Sequence, residues 1–146
     1  MSSTGDSEPG AILCVDFGLK RVGLAVTDPR RRTAVGAGCI EGLSGRSLAR
    51  AVRAEAAKRG VKVILIGQPP QGARGVEPVI RGADALAEAS RRFGLEVIRW
   101  DESYSTSEAL AARRTYGGKS RAGRGWIDEA AAVLILRSYL DAQLRQ

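Results

Sequence analysis

The stretch AILCVDFGLKRVGLAVTD, Ala11 to Asp28, sets the architecture. Ala11–Phe17 and Arg21–Asp28 are β-rich runs separated only by Gly18, Leu19 and Lys20, the length and chemistry of a tight hairpin connection. Working outward, Pro29 and Arg30–Arg32 form the next turn, and Thr33–Ile40 can add a third antiparallel strand, although Gly36 and Gly38 weaken it. Ser44–Arg59 has helical spacing in Leu48, Val52 and Ala56, with Ser44 or Ser47 as N-cap and Gly60 as the stop. Val61, Val63, Ile64, Leu65 and Ile66 form a near-continuous apolar run, as in a central strand covered on both faces, and Gln68–Gly72 ends it in a loop. A second helix is expected from Val76 to Phe93, on Val79, Ala83, Leu86 and Ala87, and a fifth strand from Leu95 to Trp100, closed by Asp101 and Glu102. Ser105, Thr106, Ser107 and Glu108 have capping-box spacing for a short helix to about Arg113. A glycine-rich basic loop and a closing helix, Trp126–Leu144, follow. A hairpin meander joined to β-α-β-α-β crossovers specifies an α/β fold with one mixed five-stranded sheet and helices on both faces.

The 146 residues fit one domain, residues 11–146, preceded by a tail over residues 1–10 that lacks the basic start and apolar core of a signal peptide. No apolar stretch is long enough to span a bilayer, so no membrane association and a cytoplasmic location are expected. There are 23 Lys and Arg against 16 Asp and Glu, a net charge of +7, which favours a polyanionic partner such as nucleic acid. Histidine is absent, which excludes Ser-His, Cys-His and His-ligated zinc chemistry within this chain. Cys14 and Cys39 lie in apolar, strand-like surroundings and read as small buried hydrophobes. Carboxylates and cations remain as the strong catalytic groups.

Asp16 ends the first strand, and in such sheets ligand sites lie at the carboxyl ends of parallel strands. The apolar residues around it make a carboxylate costly there unless it is paired or metal-bound. Asp101 and Glu102 close a strand parallel to the first, and Asp128 lies in the first turn of the closing helix, where Ala131 and Ala132 let that helix approach the sheet. Three carboxylates from distant parts of the chain can therefore converge, and an all-oxygen set suits Mg²⁺ or Mn²⁺. Two such ions about 3.5–4 Å apart would activate water and stabilise the leaving oxygen in phosphodiester cleavage. Each acid also has a plainer reading: Asp16 as a turn residue, Asp101 as a solvated loop acid, Asp128 as a complement to the helix N-terminus.

Four groups of residues resemble the YqgF/RuvX family: Val15-Asp16-Phe17-Gly18-Leu19-Lys20-Arg21-Val22-Gly23, Ile66-Gly67-Gln68-Pro69, Asp101-Glu102 with Ser105-Thr106, and Ile127-Asp128 before Ala130-Ala131-Ala132. The match runs from about Ala11 to Leu140. The resemblance implies an RNase H-like fold and a nuclease linked to maturation of the 5′ end of pre-16S rRNA or, by similarity to RuvC, to resolving Holliday junctions in branched DNA. Residue by residue, it implies catalytic and metal-binding roles for Asp16, Glu102 and Asp128. Where the family has Asp-Glu-Arg and a Thr pair, this chain has Asp101-Glu102-Ser103 and Ser105-Thr106: the arginine is lost and both hydroxyls are kept. Asp101 and Glu102 are both open as the ligand, because adjacent strand residues face opposite ways; Glu102 is preferred.

Five basic residues and no acid lie between Glu108 and Asp128: Arg113, Arg114, Lys119, Arg121 and Arg124. With four glycines among them, and with Tyr116 and Trp126 able to stack on bases, they read as a flexible phosphate clamp. Lys20 and Arg21 follow Asp16 where a scissile phosphate would sit, whereas Arg30–Arg32 read as a solvated turn. A non-catalytic nucleic-acid-binding module is the rival reading, and acids beside phosphate argue against it unless metals neutralise them. An actin-like ATPase would need a second domain. A resolvase cutting two symmetric strands is expected to be a homodimer, and an RNA-trimming enzyme could be a monomer.

Overall fold

The computed structural model describes residues 8–104 and 121–145. The strands are β1 (Ile12–Asp16), β2 (Arg21–Thr27), β3 (Ala34–Glu41), β4 (Val63–Gln68) and β5 (Glu96–Asp101), and the helices are α1 (Gly45–Lys58), α2 (Glu77–Arg92) and α3 (Arg121–Leu144). The sheet order is β3-β2-β1-β4-β5. The hairpin pairs are antiparallel, while β1, β4 and β5 are parallel, as the crossover pattern requires. Gly60 and Gly94, both at positive φ, stop α1 and α2 where the sequence places the stops.

Alternation along β1 divides the core. Leu13, Val15 and Phe17 pack with Leu48, Val52, Ala83 and Leu86 on the side of α1 and α2. Ile12 and Cys14 pack with Leu65, Ala132, Ile135 and Leu136 on the side of α3. Asp16 continues the second series, so its side chain belongs to the α3 face.

Two expectations need correction. The closing helix begins at Arg121, not Trp126, so the backbone of Arg121 and Arg124 is helical and not part of a loop. Asp128 therefore lies two turns inside α3 and does not complement its N-terminus, because the dipole effect fades within the first turn. The edge strand β3 survives its two glycines for a specific reason. Its register against β2 shifts at Leu24/Ala25, and within that irregularity the Gly38 amide donates to Glu129 Oε2 at 2.7 Å. A Cβ on Gly36 would lie 2.5 Å from the Glu129 carboxyl carbon, so that glycine makes room for the reaching side chain. The expected helix from Ser105 to about Arg113 lies outside the described residues.

The β2–β3 turn is more ordered than a solvated arginine run. Asp28 Oδ1 accepts from the amides of Arg32 (2.7 Å) and Thr33 (2.8 Å), and Oδ2 accepts from the Arg30 amide. Arg31 Nε donates to the Gly10 carbonyl at 2.7 Å, and the Gly10 amide donates to Pro29 O, so the last residues of the expected tail are tied to this turn. The Thr33 amide, with the other donors, holds the Asp28 carboxyl below its ordinary range. A depressed carboxyl stabilises the fold above its unfolded value, about 3.9, and loses that contribution as pH falls through the lower folded value. The stability gap between the wild type and Asp28→Ala, read from urea midpoints, is therefore expected to be wide at pH 7 and to narrow below about pH 4. A gap that stays constant with pH would contradict the ionic origin.

Candidate active site

One row of the sheet builds the site. Cα partners across the five strands run Cys39, Gly23, Asp16, Gly67, Trp100, from β3 through to β5. Residues paired in this way share a face, so Asp16 is flanked on the α3 side by two glycines. A Cβ at Gly23 would lie 2.1 Å from the Asp128 carbonyl oxygen and 3.2 Å from its Cβ; one at Gly67 would lie 3.0 Å from Ile135 Cγ2. Asp128 is thus seated on β2 and Ile135 on β4, on either side of Asp16. The spacing agrees with this: seven helical residues advance about 10.5 Å, and two strand spacings measure about 9.6 Å. The buried small residues Ala131 and Ala132 occupy the helix between the two seats. Farther along, Trp100 Nε1 donates to Ser138 Oγ at 2.8 Å, which ties α3 to β5.

Asp16 and Asp128, 112 positions apart in sequence, are in this way brought together and almost fully buried, at 2% and 6% exposure. Glu102 opens the turn Glu102–Tyr104 directly after β5, and that turn touches α3. Ile98 and Trp100 pack on the α3 side. Arg99 donates to Gln68 and to Asp84 of α2 on the other side. Alternation puts Asp101, the last residue of β5, on the face opposite Asp16, and Glu102 follows where the strand gives way to the turn. Asp101 Oδ1 is also occupied, accepting from the Ser103 amide at 2.8 Å.

Arg21 shares the face of Gly23, two residues along β2, and its Nε donates to Asp128 Oδ2 at 2.8 Å in a largely buried ion pair. Arg21 is thus paired with a carboxylate, whereas Lys20 is exposed in the hairpin. The electrostatics around Gly23 are mixed. Burial first, then the carboxylates of Asp128 and Glu41, push the Cys39 thiol up, while Arg21 acts in the opposite sense. Burial also raises the Cys14 thiol far above its ordinary value, consistent with a cysteine that takes no part in chemistry.

Among the described residues, no three acidic, cysteine or histidine side chains stand close enough to form one metal-ligating group. Glu102 follows β5, two strand spacings from β1, and a cation already sits on Asp128. Ser105, Thr106, Arg113, Arg114 and Lys119 lie outside the described residues. Arg121 and Arg124 lie at the start of α3. The sequence reading missed Gly23 as the seat of Asp128; the available signal was a glycine inside a strand, which marks close approach of another backbone. It also missed the Arg99–Gln68 pair, which helps line an open cleft of about 330 Å³ at the carboxyl ends of β4 and β5.

The fold defined by this sheet and helix order is RNase H-like. It matches the Thermus thermophilus RuvC structure solved with a Holliday junction substrate at a TM-score of 0.57 and 16% identity, covering 92% of this chain and 95% of that one. The fowlpox virus resolvase solved with Holliday junction DNA gives a TM-score of 0.58 at 12% identity, over 92% and 99% of the two chains. The sequence profile of the RuvX family, described as Holliday junction resolvase, matches residues 10–142, and the chain belongs to that family. A protein of Syntrophus aciditrophicus (strain SB), named a candidate pre-16S rRNA nuclease, is 38% identical over 135 residues, 90% of this chain and 88% of its own length. One of the same name from Novosphingobium aromaticivorans is 34% identical over 138 residues, 93% of this chain and 88% of that one. The family and its relatives are nucleases by name, and no described helix is long and apolar enough to cross a membrane.

Proposed function

We propose that the chain is a metal-dependent nuclease that hydrolyses phosphodiester bonds in structured nucleic acid, with the 5′ end of pre-16S rRNA as its substrate. The observation that carries this is the pairing of two buried carboxylates, Asp16 and Asp128, over Gly23 at the carboxyl end of β1. The donor chemistry of Asp16 and Asp128 suits a hard divalent cation. The donors are all oxygen, and Asp128 already holds a positive group, the Arg21 guanidinium, where an ion could stand. Asp16, Asp128 and Glu102 would hold Mg²⁺ or Mn²⁺. The longer side chain of Glu102 suits a ligand that must reach inward from β5. When bound, such ions activate water and stabilise the leaving oxygen.

The protein's own residues exclude water and fix geometry. Gly23 and Gly67 seat α3 with Asp128 beside Asp16, and the Trp100–Ser138 hydrogen bond ties the helix to β5. Lys20, exposed in the hairpin beyond Asp16, would attract the phosphate. Ser105, Thr106, Arg113, Arg114, Lys119, Arg121 and Arg124 would extend that contact along the backbone, independently of sequence. The identity of the relatives favours RNA. The family description keeps branched DNA as the second reading, with a homodimer as the expected active form in that case and a monomer in the first.

The test is cleavage of a small-subunit rRNA precursor and of a four-way DNA junction side by side, each with Mg²⁺, Mn²⁺ or EDTA. Metal-dependent cutting of the precursor at its 5′ side is expected to exceed junction cleavage. Cutting of the junction alone would replace the RNA reading by the resolvase one, and binding without cutting of either would leave a non-catalytic module.

A further inference from the structure

Two buried carboxylates beside one glycine repel each other unless a cation is near. Arg21 helps to supply that charge. Its Nε lies 2.8 Å from Asp128 Oδ2, with the two side chains 21% and 9% exposed. Its Cα partner on β3 is Glu41, so a second acid shares its face of the sheet. For Asp128 Oδ2 to ligate a divalent ion, Arg21 must move. The neighbouring loop gives it somewhere to go, because Leu19 and Lys20 are exposed and the partly exposed Arg21 side chain borders them.

We propose that Arg21 is a place-holding cation. It is a positioning residue that keeps Asp128 seated beside Asp16 before metal arrives, and it competes with the divalent ion for the Asp128 carboxylate. The inference rests on the reading of Asp128 as a metal ligand and adds to it a built-in competitor. A residue that merely braced the ligand would have the opposite effect on metal affinity when removed.

The experiment is titration of the full-length chain with Mn²⁺ alone, without nucleic acid, by calorimetry on the wild type, Arg21→Gln and Arg21→Lys. Arg21→Gln leaves one cation fewer to displace, so it is expected to bind Mn²⁺ about fivefold tighter, equivalent to about 1 kcal/mol. Its melting temperature without metal is expected to fall, and its metal-induced rise to exceed that of the wild type. Arg21→Lys keeps the charge and is expected to stay close to the wild type. Unchanged or weaker binding in Arg21→Gln, with normal binding by the wild type, overturns the competition and leaves the metal reading standing. Absence of Mn²⁺ binding by the wild type brings down both. A measurement on the unmutated protein guards against a misfolded variant: the Arg21 Nε–H resonance in a ¹⁵N spectrum is expected to shift on addition of Mg²⁺, and a resonance that Mg²⁺ leaves in place contradicts displacement.

Discussion

Gly23→Ala is expected to cost both stability and nearly all nuclease activity, although it adds only a methyl group in a strand. That methyl would lie 2.1 Å from the Asp128 carbonyl oxygen and 2.5 Å from its carbonyl carbon. Both are backbone atoms of a helix interior, so no side-chain rotation relieves the overlap, and α3 or β2 must shift. Overpacking of this kind costs about 1–3 kcal/mol, which in a domain of this size corresponds to a melting temperature lower by about 3–12 °C. The loss of activity is expected to exceed the loss of folded protein, because a displacement near 1 Å at a reacting centre can lower the rate by roughly a hundredfold. Thermal melts and cleavage rates on the same preparation test this. An alanine variant with wild-type melting and wild-type rate would mean that α3 is not seated on Gly23 in solution.

Asp16→Asn acts on charge and leaves size unchanged. Its cleavage rate is expected to fall by two or more orders of magnitude, roughly what removal of one group stabilising transition-state charge costs. The fold is expected to survive, with a melting temperature without metal equal to or above that of the wild type, because one of two like-charged buried neighbours has been neutralised. A carboxylate with only a structural task would behave in reverse, losing hydrogen bonds and stability while activity declined only with the folded fraction. Gly23→Ala and Asp16→Asn thus separate the seat from the charge: the first lowers melting and rate together, the second lowers rate alone.

Much of this was legible in the sequence, for reasons that differ along the chain. The β1–β2 hairpin and β4 follow from strand patterning, because a period of two and a long apolar run leave few alternatives. Asp16 stood out as a carboxylate inside an apolar strand. The start of α3 was hidden because Gly123 and Gly125 each disfavour a helix by about 1 kcal/mol. The observed helix crosses them because extending a turn already held by the packed segment from Asp128 onward is cheaper than starting a new one. Gly36 and Gly38 looked like faults in β3 and prove to be where Glu129 reaches the edge strand. The Arg21–Asp128 pair spans 107 positions, and no local pattern joins those residues; only the seating of α3 on Gly23 does. Arg21 therefore read as a phosphate contact and was found on a carboxylate.

Action of Asp16, Glu102 and Asp128 through a divalent ion is the core of the proposed function. It is tested most directly by following single-turnover cleavage of an end-labelled rRNA precursor by the wild-type chain, first stripped with EDTA and then titrated with Mn²⁺. No cleavage before addition and a rate that rises with Mn²⁺ to saturation are predicted. Cleavage that proceeds at full rate in EDTA would contradict it.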